Sequence, residues 1–125
     1  MRLLLDTHVL LWWLANDPSL GEEAREGISA PGSSVFVSAA TAWEISIKQA
    51  LGKLDAPSDL LRQIELSRFE PLPITVSHAY AAGALPRHHE DPFDRVLVAQ
   101  AMAEGLTLVT RDPRMGLYSV GTLAA

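Results

Sequence analysis

Three consecutive leucines that run directly into a carboxylate, residues 3–5 followed by Asp6, constrain the fold of this chain more than any other feature. A short unbroken apolar run is typical of a strand buried on both faces of a sheet. After Asp6 the pattern changes to mixed helical spacing, beginning with Val9 and Leu10. The segment therefore predicts a strand, a sharp turn and a helix. It places Asp6 at the carboxyl end of the strand, where open α/β sheets bind their ligands.

Predicted strands alternate with predicted helices along the rest of the chain. Further strands are predicted at residues 35–38, 69–74, 106–110 and 116–120. Helices are predicted at residues 20–28, 39–51, 56–66, 76–85 and 92–104. The segment 69–74 contains two prolines, so it suits only a short edge strand. The alternation predicts an α/β fold with a parallel, doubly wound sheet and right-handed crossovers.

The bulk properties of the chain exclude several classes of protein. Its 125 residues and 48% apolar composition suit a single domain over residues 1–125 and exclude intrinsic disorder. We expect no membrane span and no signal peptide, because the chain has no apolar run of about 18 residues and lacks a basic leader. The absence of cysteine fits a cytoplasmic protein. The net charge of −5 excludes nucleic-acid binding by bulk charge alone and suits bound cations or a basic protein partner.

Asp6 and Glu44 each have a structural as well as a functional interpretation. Asp6 precedes an apolar helix, so it could act only as an N-cap that contributes about 1 kcal/mol. Glu44 lies about two turns into its predicted helix and has Lys48 four residues later. That order favours an intrahelical ion pair worth a few tenths of a kcal/mol. For each residue taken alone, both interpretations stay open.

Two further acids lie near prolines. Asp91 followed by Pro92 is the signature of a helix N-cap, and it places Asp94 in the first helical turn with the cap position already filled. Asp112 follows the strand predicted at residues 106–110 and also precedes a proline, so it could be a second capping residue. We expect Asp91 to be a cap and Asp94 to be free for another role, whereas both roles stay open for Asp112.

A parallel topology would bring Asp6, Glu44, Asp94 and Asp112 to one edge of the sheet, because parallel strands end there and the following helices begin there. Carboxylates a few ångströms apart repel one another, so such a cluster is stable at neutral pH only if cations bind to it. Hard oxygen ligands without cysteine favour Mg²⁺ or Mn²⁺. Two such ions held by carboxylates are a common arrangement for phosphodiester hydrolysis.

Other polar residues surround these acids in the sequence. Thr7 and Thr110 each neighbour an acid and could orient a carboxylate or a water molecule. His88 and His89 could suggest zinc, but the side chains of adjacent residues point in different directions, so zinc is the weaker interpretation. His78 is expected to lie at the surface or partly buried rather than to bind a metal.

Four segments, spread over nearly the whole chain, resemble segments of a known protein family and occur in the same order as in that family. They are residues 3–8 (LLLDTH), 38–48 (SAATAWEISIK), 89–101 (HEDPFDRVLVAQA) and 108–112 (LVTRD). The sequence resembles the PIN-domain nucleases, and specifically the toxin subunits of VapBC-type toxin–antitoxin systems. The resemblance implies a PIN-like three-layer α/β/α sandwich formed by one nuclease domain over residues 1–125. It also implies cleavage of RNA that leaves a 5′-phosphate.

The same resemblance implies the identity of the site. The family's acidic residues map onto Asp6, Glu44, Asp94 and Asp112, which would bind Mg²⁺ or Mn²⁺ and activate water, with Asp112 the weakest assignment. Such toxins are usually homodimers and are silenced by a cognate antitoxin whose tail covers the acidic groove. The phosphate contacts of the RNA substrate would come from three arginines. These are Arg95, which could instead pair with Asp91, Arg111 and Arg114.

Two other function classes compete with a ribonuclease toxin. The first is a catalytically inactive PIN-like binding or regulatory module, which the presence of all four acids disfavours. The second is a phosphoacceptor or phosphatase domain, but a haloacid-type phosphatase requires a second aspartate two residues after Asp6, where this chain has His8.

One of the adjacent Trp12 and Trp13 is expected to face the core and the other a protein partner.

Overall fold

The computed structural model describes residues 1–125 and contains one five-stranded sheet in the order β3-β2-β1-β4-β5, with every neighbouring pair parallel. The strands are β1 Arg2–Leu5, β2 Ser34–Ser38, β3 Glu70–Leu72, β4 Thr107–Thr110 and β5 Thr122–Ala124. The helices are α1 Thr7–Leu14, α2 Glu22–Ser29, α3 Ala39–Ala50, α4 Leu60–Leu66, α5 Val76–Ala84 and α6 Pro92–Glu104, with a 3₁₀ turn at Met115–Leu117. The predicted parallel, doubly wound α/β sheet is confirmed.

Strand β1 lies at the centre of the sheet, between β2 and β4. Leu3, Leu4 and Leu5 are completely buried, because their side chains alternate between two helical layers. Leu3 and Leu5 belong to one hydrophobic cluster with residues of α1, α2 and α4, whereas Leu4 belongs to a second cluster with residues of α6. The sheet is therefore covered on both faces, which is the predicted three-layer α/β/α sandwich.

The prediction of a last strand at residues 116–120 is wrong. Residues Met115–Leu117 form the 3₁₀ turn, and the strand that pairs with β4 is Thr122–Ala124. The tertiary packing explains the difference. Met115 and Tyr118 are buried in the second cluster, and the Tyr118 hydroxyl donates to the Pro86 carbonyl at 2.8 Å. The apolar residues of this segment are buried in a turn instead of a strand. The chain reaches the edge of the sheet only after that turn.

The other elements begin and end close to the predicted residues. The proline-containing strand β3 lies at an edge of the sheet, as predicted. Gly52, after α3, and Gly105, after α6, both adopt left-handed backbone conformations (φ +69° and +66°) that favour glycine and end the helices. Helix α2 begins at Glu22 and helix α4 at Leu60, later than predicted, since the preceding residues form turns.

The adjacent tryptophans both contact the core, and the expectation that one of them faces a protein partner stays a prediction. Trp12 and Trp13 are both half-buried against the first cluster. The Trp12 ring lies 4.3 Å from the Arg111 guanidinium carbon, and the Trp13 ring centroid lies 6.0 Å from that of Phe69. Both rings therefore have partners within the chain. None of the helices combines the length and the apolar character that a membrane crossing requires.

Candidate functional site

An acidic cleft of about 230 Å³ lies at the carboxyl edge of the sheet. The element order explains its position, since α1 follows β1 through Asp6 alone and α3 follows β2 directly. The cleft is lined by all four predicted site residues and by several neighbours, among them Asp6, Thr7, Glu44, Lys48, His89, Asp91, Asp94, Asp112 and Arg114. Four acids that are distant in the sequence therefore share one cleft.

Asp6 is both the N-cap of α1 and part of the cleft. Its backbone is extended, and Oδ1 accepts a hydrogen bond from the Val9 N–H at 2.9 Å. The carboxyl group is nearly buried, at 7% exposure. Burial raises the pKa of the Asp6 carboxyl above its ordinary value, against hydrogen bonds from the Thr110 hydroxyl and the Val9 N–H. Asp6 therefore caps α1 and also lines the cleft, so the capping role does not exclude a functional one.

Glu44 is held from two sides. The Thr7 hydroxyl donates to Glu44 Oε1 at 2.6 Å, and the Lys48 ammonium donates to Oε2 at 2.6 Å. The hydrogen bond to Glu44 raises the pKa of Lys48. The ion pair predicted within the helix is present, and the same carboxylate also lines the cleft. Thr7 orients a carboxylate, as its position beside Asp6 suggested.

The first turn of α6 concentrates negative charge. Asp91 caps the helix, as predicted, because its Oδ1 accepts from the N–H groups of Phe93 at 2.8 Å and Asp94 at 3.1 Å. Burial and the neighbouring Asp91 raise the pKa of Asp94 to about 7, with smaller contributions in the same direction from other acids and an opposing one from His89. Burial and nearby acids thus disfavour the charged form of Asp94, and among the causes of its shift only His89 acts in the opposite direction.

Asp112, two residues after β4, is paired with the guanidinium of Arg114. Arg114 donates to Asp112 Oδ2 at 2.8 Å through its guanidinium and to Oδ1 at 2.9 Å through its backbone N–H. The hydrogen bonds from the Arg114 side chain hold the pKa of Asp112 at about 2. Asp112 is therefore ionised at neutral pH even without a further cation.

His89 is the main residue of the cleft that the sequence left unassigned. It is 4% exposed, and Nε2 lies 3.0 Å from Asp94 Oδ2 and 2.9 Å from Asp112 Oδ2. His88 points elsewhere and packs its ring on Tyr118, with centroids 5.0 Å apart. The adjacent histidines do point in different directions, as expected. The only sequence feature that indicated a histidine in the cleft was the His88–His89 pair close to the Asp91 cap. That pair does not indicate which of the two rings faces the acids.

Two of the three arginines expected to contact phosphate have other partners. The Arg95 guanidinium donates to backbone carbonyls at the end of α5 and in the loop before α6, including Ala82 at 2.9 Å and His89 at 3.1 Å. Arg111 packs on Trp12 and donates to the Ala125 carbonyl at 2.9 Å. Only Arg114 lines the cleft.

His78 is buried rather than at the surface. It is 3% exposed and forms a capping box with Thr75 at the start of α5. Its Nε2 lies 3.0 Å from a carboxylate oxygen of Glu104, outside the acidic cleft. His78 therefore caps α5 and contacts α6 through Glu104.

Comparison with known proteins agrees with this geometry. The chain matches the PIN domain family over residues 3–121. It is 30% identical over 115 residues to ribonuclease VapC22 of Mycobacterium tuberculosis, which covers 90% of this chain and 88% of that protein. The chain belongs to the PIN-domain family, in its VapC group, which confirms the family predicted from the sequence.

Solved structures show the same fold. VapBC2 from Rickettsia felis, bound to a DNA fragment from its promoter, superposes with a TM-score of 0.73 and 16% identity over 99% of this chain and 98% of that one. DNA-bound VapBC from Salmonella typhimurium superposes with a TM-score of 0.72 and 23% identity over the same shares of the two chains. The likeness covers the whole sheet and both helical layers.

Proposed function

We propose that this chain is a metal-dependent endoribonuclease toxin that hydrolyses RNA phosphodiester bonds and is neutralised by a cognate antitoxin. The observation that carries the proposal is the convergence of Asp6, Glu44, Asp94 and Asp112 from four separate segments on one cleft. Membership of the PIN-domain family and the similarity to ribonuclease VapC22 support the same activity. The proposal treats residues 1–125 as one nuclease domain.

The chemistry of the cleft fits a hard divalent cation. Its acids offer oxygen ligands, and the chain has no cysteine that would favour a softer metal. The raised pKa values of Asp6 and Asp94 indicate excess negative charge and burial that a cation would offset. We propose that Mg²⁺ or Mn²⁺ is held by Asp6, Glu44, Asp94 and Asp112. Such an ion supplies Lewis acidity and lowers the pKa of water.

The residues of the chain would prepare the site for that reaction. The Val9 N–H fixes the Asp6 carboxylate, and Thr7 and Lys48 fix that of Glu44, so neither needs to reorganise when substrate enters. The Arg114 guanidinium is exposed at the rim of the cleft and could bind a phosphate of the RNA. Arg114 is thus the candidate for holding the RNA backbone.

An antitoxin and a second copy of this chain are the proposed protein partners. Several structural relatives are toxin–antitoxin complexes, among them VapBC from Salmonella typhimurium. In this chain, an apolar groove of about 700 Å³ lies between α3, α4 and β3 and is lined in part by Val37, Phe69 and Leu72. A basic antitoxin would also complement the net charge of −5. We propose that the toxin acts in the cytoplasm and that it is a homodimer. Light scattering would test the homodimer by measuring the mass of the assembly.

The test of the activity compares two substitutions of aspartate by asparagine. Asp94→Asn removes a charge from the cleft, whereas Asp59→Asn changes a residue at the start of α4, outside the cleft. With Mg²⁺ or Mn²⁺ present, we expect the parent and Asp59→Asn to cleave RNA equally and Asp94→Asn to be inactive but folded by circular dichroism. Equal cleavage by all three proteins would show that Asp94 has no part in the reaction.

A further inference from the structure

The imidazole of His89 lies between two carboxylates of the cleft that come from separate segments of the chain. Asp94 belongs to the first turn of α6, and Asp112 belongs to the turn after β4. Nε2 of His89 is 3.0 Å from Asp94 Oδ2 and 2.9 Å from Asp112 Oδ2, and its side chain is only 3% exposed. One buried ring atom is therefore within hydrogen-bond distance of both carboxylates.

The second ring nitrogen determines where the proton of His89 lies. The backbone N–H of Asp91 donates to His89 Nδ1 at 3.1 Å, so Nδ1 is an acceptor and carries no proton. The proton of the neutral ring must then be on Nε2, which faces the two carboxylates. In this tautomer, Nε2 is a hydrogen-bond donor and has no lone pair with which to bind a metal ion.

The loop that carries His89 is itself held in place. The backbone N–H of His89 donates to the Tyr118 hydroxyl at 3.0 Å, and its carbonyl accepts from the Arg95 guanidinium at 3.1 Å. Tyr118 is buried in the second hydrophobic cluster. The backbone around the imidazole is thus fixed on both sides, as a residue that orients others requires.

We propose that His89 is a positioning residue of the site, whose Nε2–H donates to Asp112 and lies 3.0 Å from Asp94, and which holds the two carboxylates at ligand spacing before a cation binds. This inference rests on the proposed function, since it takes these two acids as cation ligands. His89, Asp94 and Asp112 have potential ligand atoms within 4.8 Å of one another, so all three could bind one metal ion. The inference instead gives His89 a different role from the two carboxylates. In that group the carboxylates bind the cation and the imidazole orients them.

Outer hydrogen-bond partners of this kind typically change metal affinity about 10- to 100-fold when they are removed. Two substitutions separate the functions of the two ring nitrogens. His89→Asn keeps an oxygen that can accept from the Asp91 N–H but has no donor at the position of Nε2. His89→Gln places an amide N–H₂ near that position and so keeps the donor. His88→Asn is the matched control, because His88 is exposed and packs on Tyr118 outside the cleft.

The first readout is independent of metal and of activity. Nitrogen-15 NMR of the metal-free parent should show His89 with the proton on Nε2 and none on Nδ1. The second readout is the affinity for Mn²⁺ by calorimetry. We expect His89→Asn to lose about 10- to 100-fold, and His89→Gln and His88→Asn to stay within about threefold of the parent. Circular dichroism checks that every variant is folded.

The outcomes separate this inference from the proposed function. A ring protonated on Nδ1, or a folded His89→Asn that binds Mn²⁺ as tightly as the parent, overturns the positioning role alone. An equal loss of affinity in His89→Gln and His89→Asn also overturns it, because the donor would then not matter. A parent that binds no Mn²⁺ overturns the proposed function, whichever tautomer the spectrum shows.

Discussion

The acidic cleft has two walls, the α6 wall with Asp91 and Asp94 and the β4 wall with Asp112 and Arg114. Each wall carries carboxylates, but their electrostatic environments are opposite. On the α6 wall, Asp94 is partly buried beside Asp91, and its pKa is raised to about 7. On the β4 wall, Asp112 is hydrogen-bonded by Arg114, and its pKa is lowered to about 2. Both carboxylates contact His89, so the difference arises from burial and from the neighbouring charges. The α6 wall therefore carries negative charge that a bound cation would offset, whereas Arg114 already offsets the charge of the β4 wall.

The largest expected consequence of this difference concerns metal affinity. We expect Asp94→Asn to weaken Mn²⁺ binding on the order of 100-fold and Asp112→Asn on the order of 10-fold. The reason is that a cation at Asp112 competes with Arg114, whereas a cation at Asp94 relieves repulsion. Calorimetric titration of both folded variants measures the two losses. A greater loss for Asp112→Asn would reverse the comparison.

The next effect is a loss of stability of the metal-free protein as the pH rises from about 4 to about 7. The pKa of Asp94 rises from 3.8 to about 7 on folding, so the folded state binds more protons in this range and the free energy of unfolding falls with pH. The change from 3.8 to about 7 corresponds to about 4 kcal/mol. Urea denaturation in EDTA at several pH values measures this loss. Asp94→Asn should reduce the slope, and an unchanged slope would contradict the account of the α6 wall.

The smallest effect has the opposite sign and belongs to the β4 wall. The pKa of Asp112 falls from 3.8 to about 2 on folding, so its contribution to stability is present above pH 3.8 and is lost as the pH falls towards 2. Because the Arg114 side chain is 59% exposed, solvent screens the pair, and we expect less than about 1 kcal/mol.

Arg114→Gln tests this part of the account. The substitution should raise the pKa of Asp112 towards its ordinary value, because the guanidinium hydrogen bonds are the largest cause of its depression. Carbon-13 NMR titration of the carboxyl group of Asp112 measures the change. An unchanged pKa of Asp112 would show that Arg114 does not set the charge of the β4 wall.

Local patterns predicted the features that depend on neighbouring residues. The leucine run before Asp6 predicted the central strand and the position of the first acid, and Asp91–Pro92 predicted the start of α6. These predictions succeeded because burial on two faces, capping and the conformation of proline are decided within a few residues. The parallel topology then followed from the alternation of strands and helices.

Features that depend on contacts between distant segments could not be predicted. The partners of Arg95 are carbonyls at the end of α5 and in the following loop, whose path the sequence does not specify, and its position beside the acids suggested a phosphate contact instead. The choice between His88 and His89 depends on how Tyr118 packs beneath the same loop. Packing of Tyr118 in the core also explains why residues 116–120 do not form the last strand. In each case a tertiary contact overrode the local pattern.

The most direct test of the central claim is RNA cleavage by the parent and by Asp6→Asn, each with Mg²⁺, with Mn²⁺ and with EDTA. Asparagine caps a helix as well as aspartate does, so this substitution keeps the capping role of Asp6 and removes only its charge. We predict cleavage by the parent that requires the metal and that falls about 100-fold or more in Asp6→Asn. Cleavage that persists in EDTA, or an Asp6→Asn variant as active as the parent, would contradict the account.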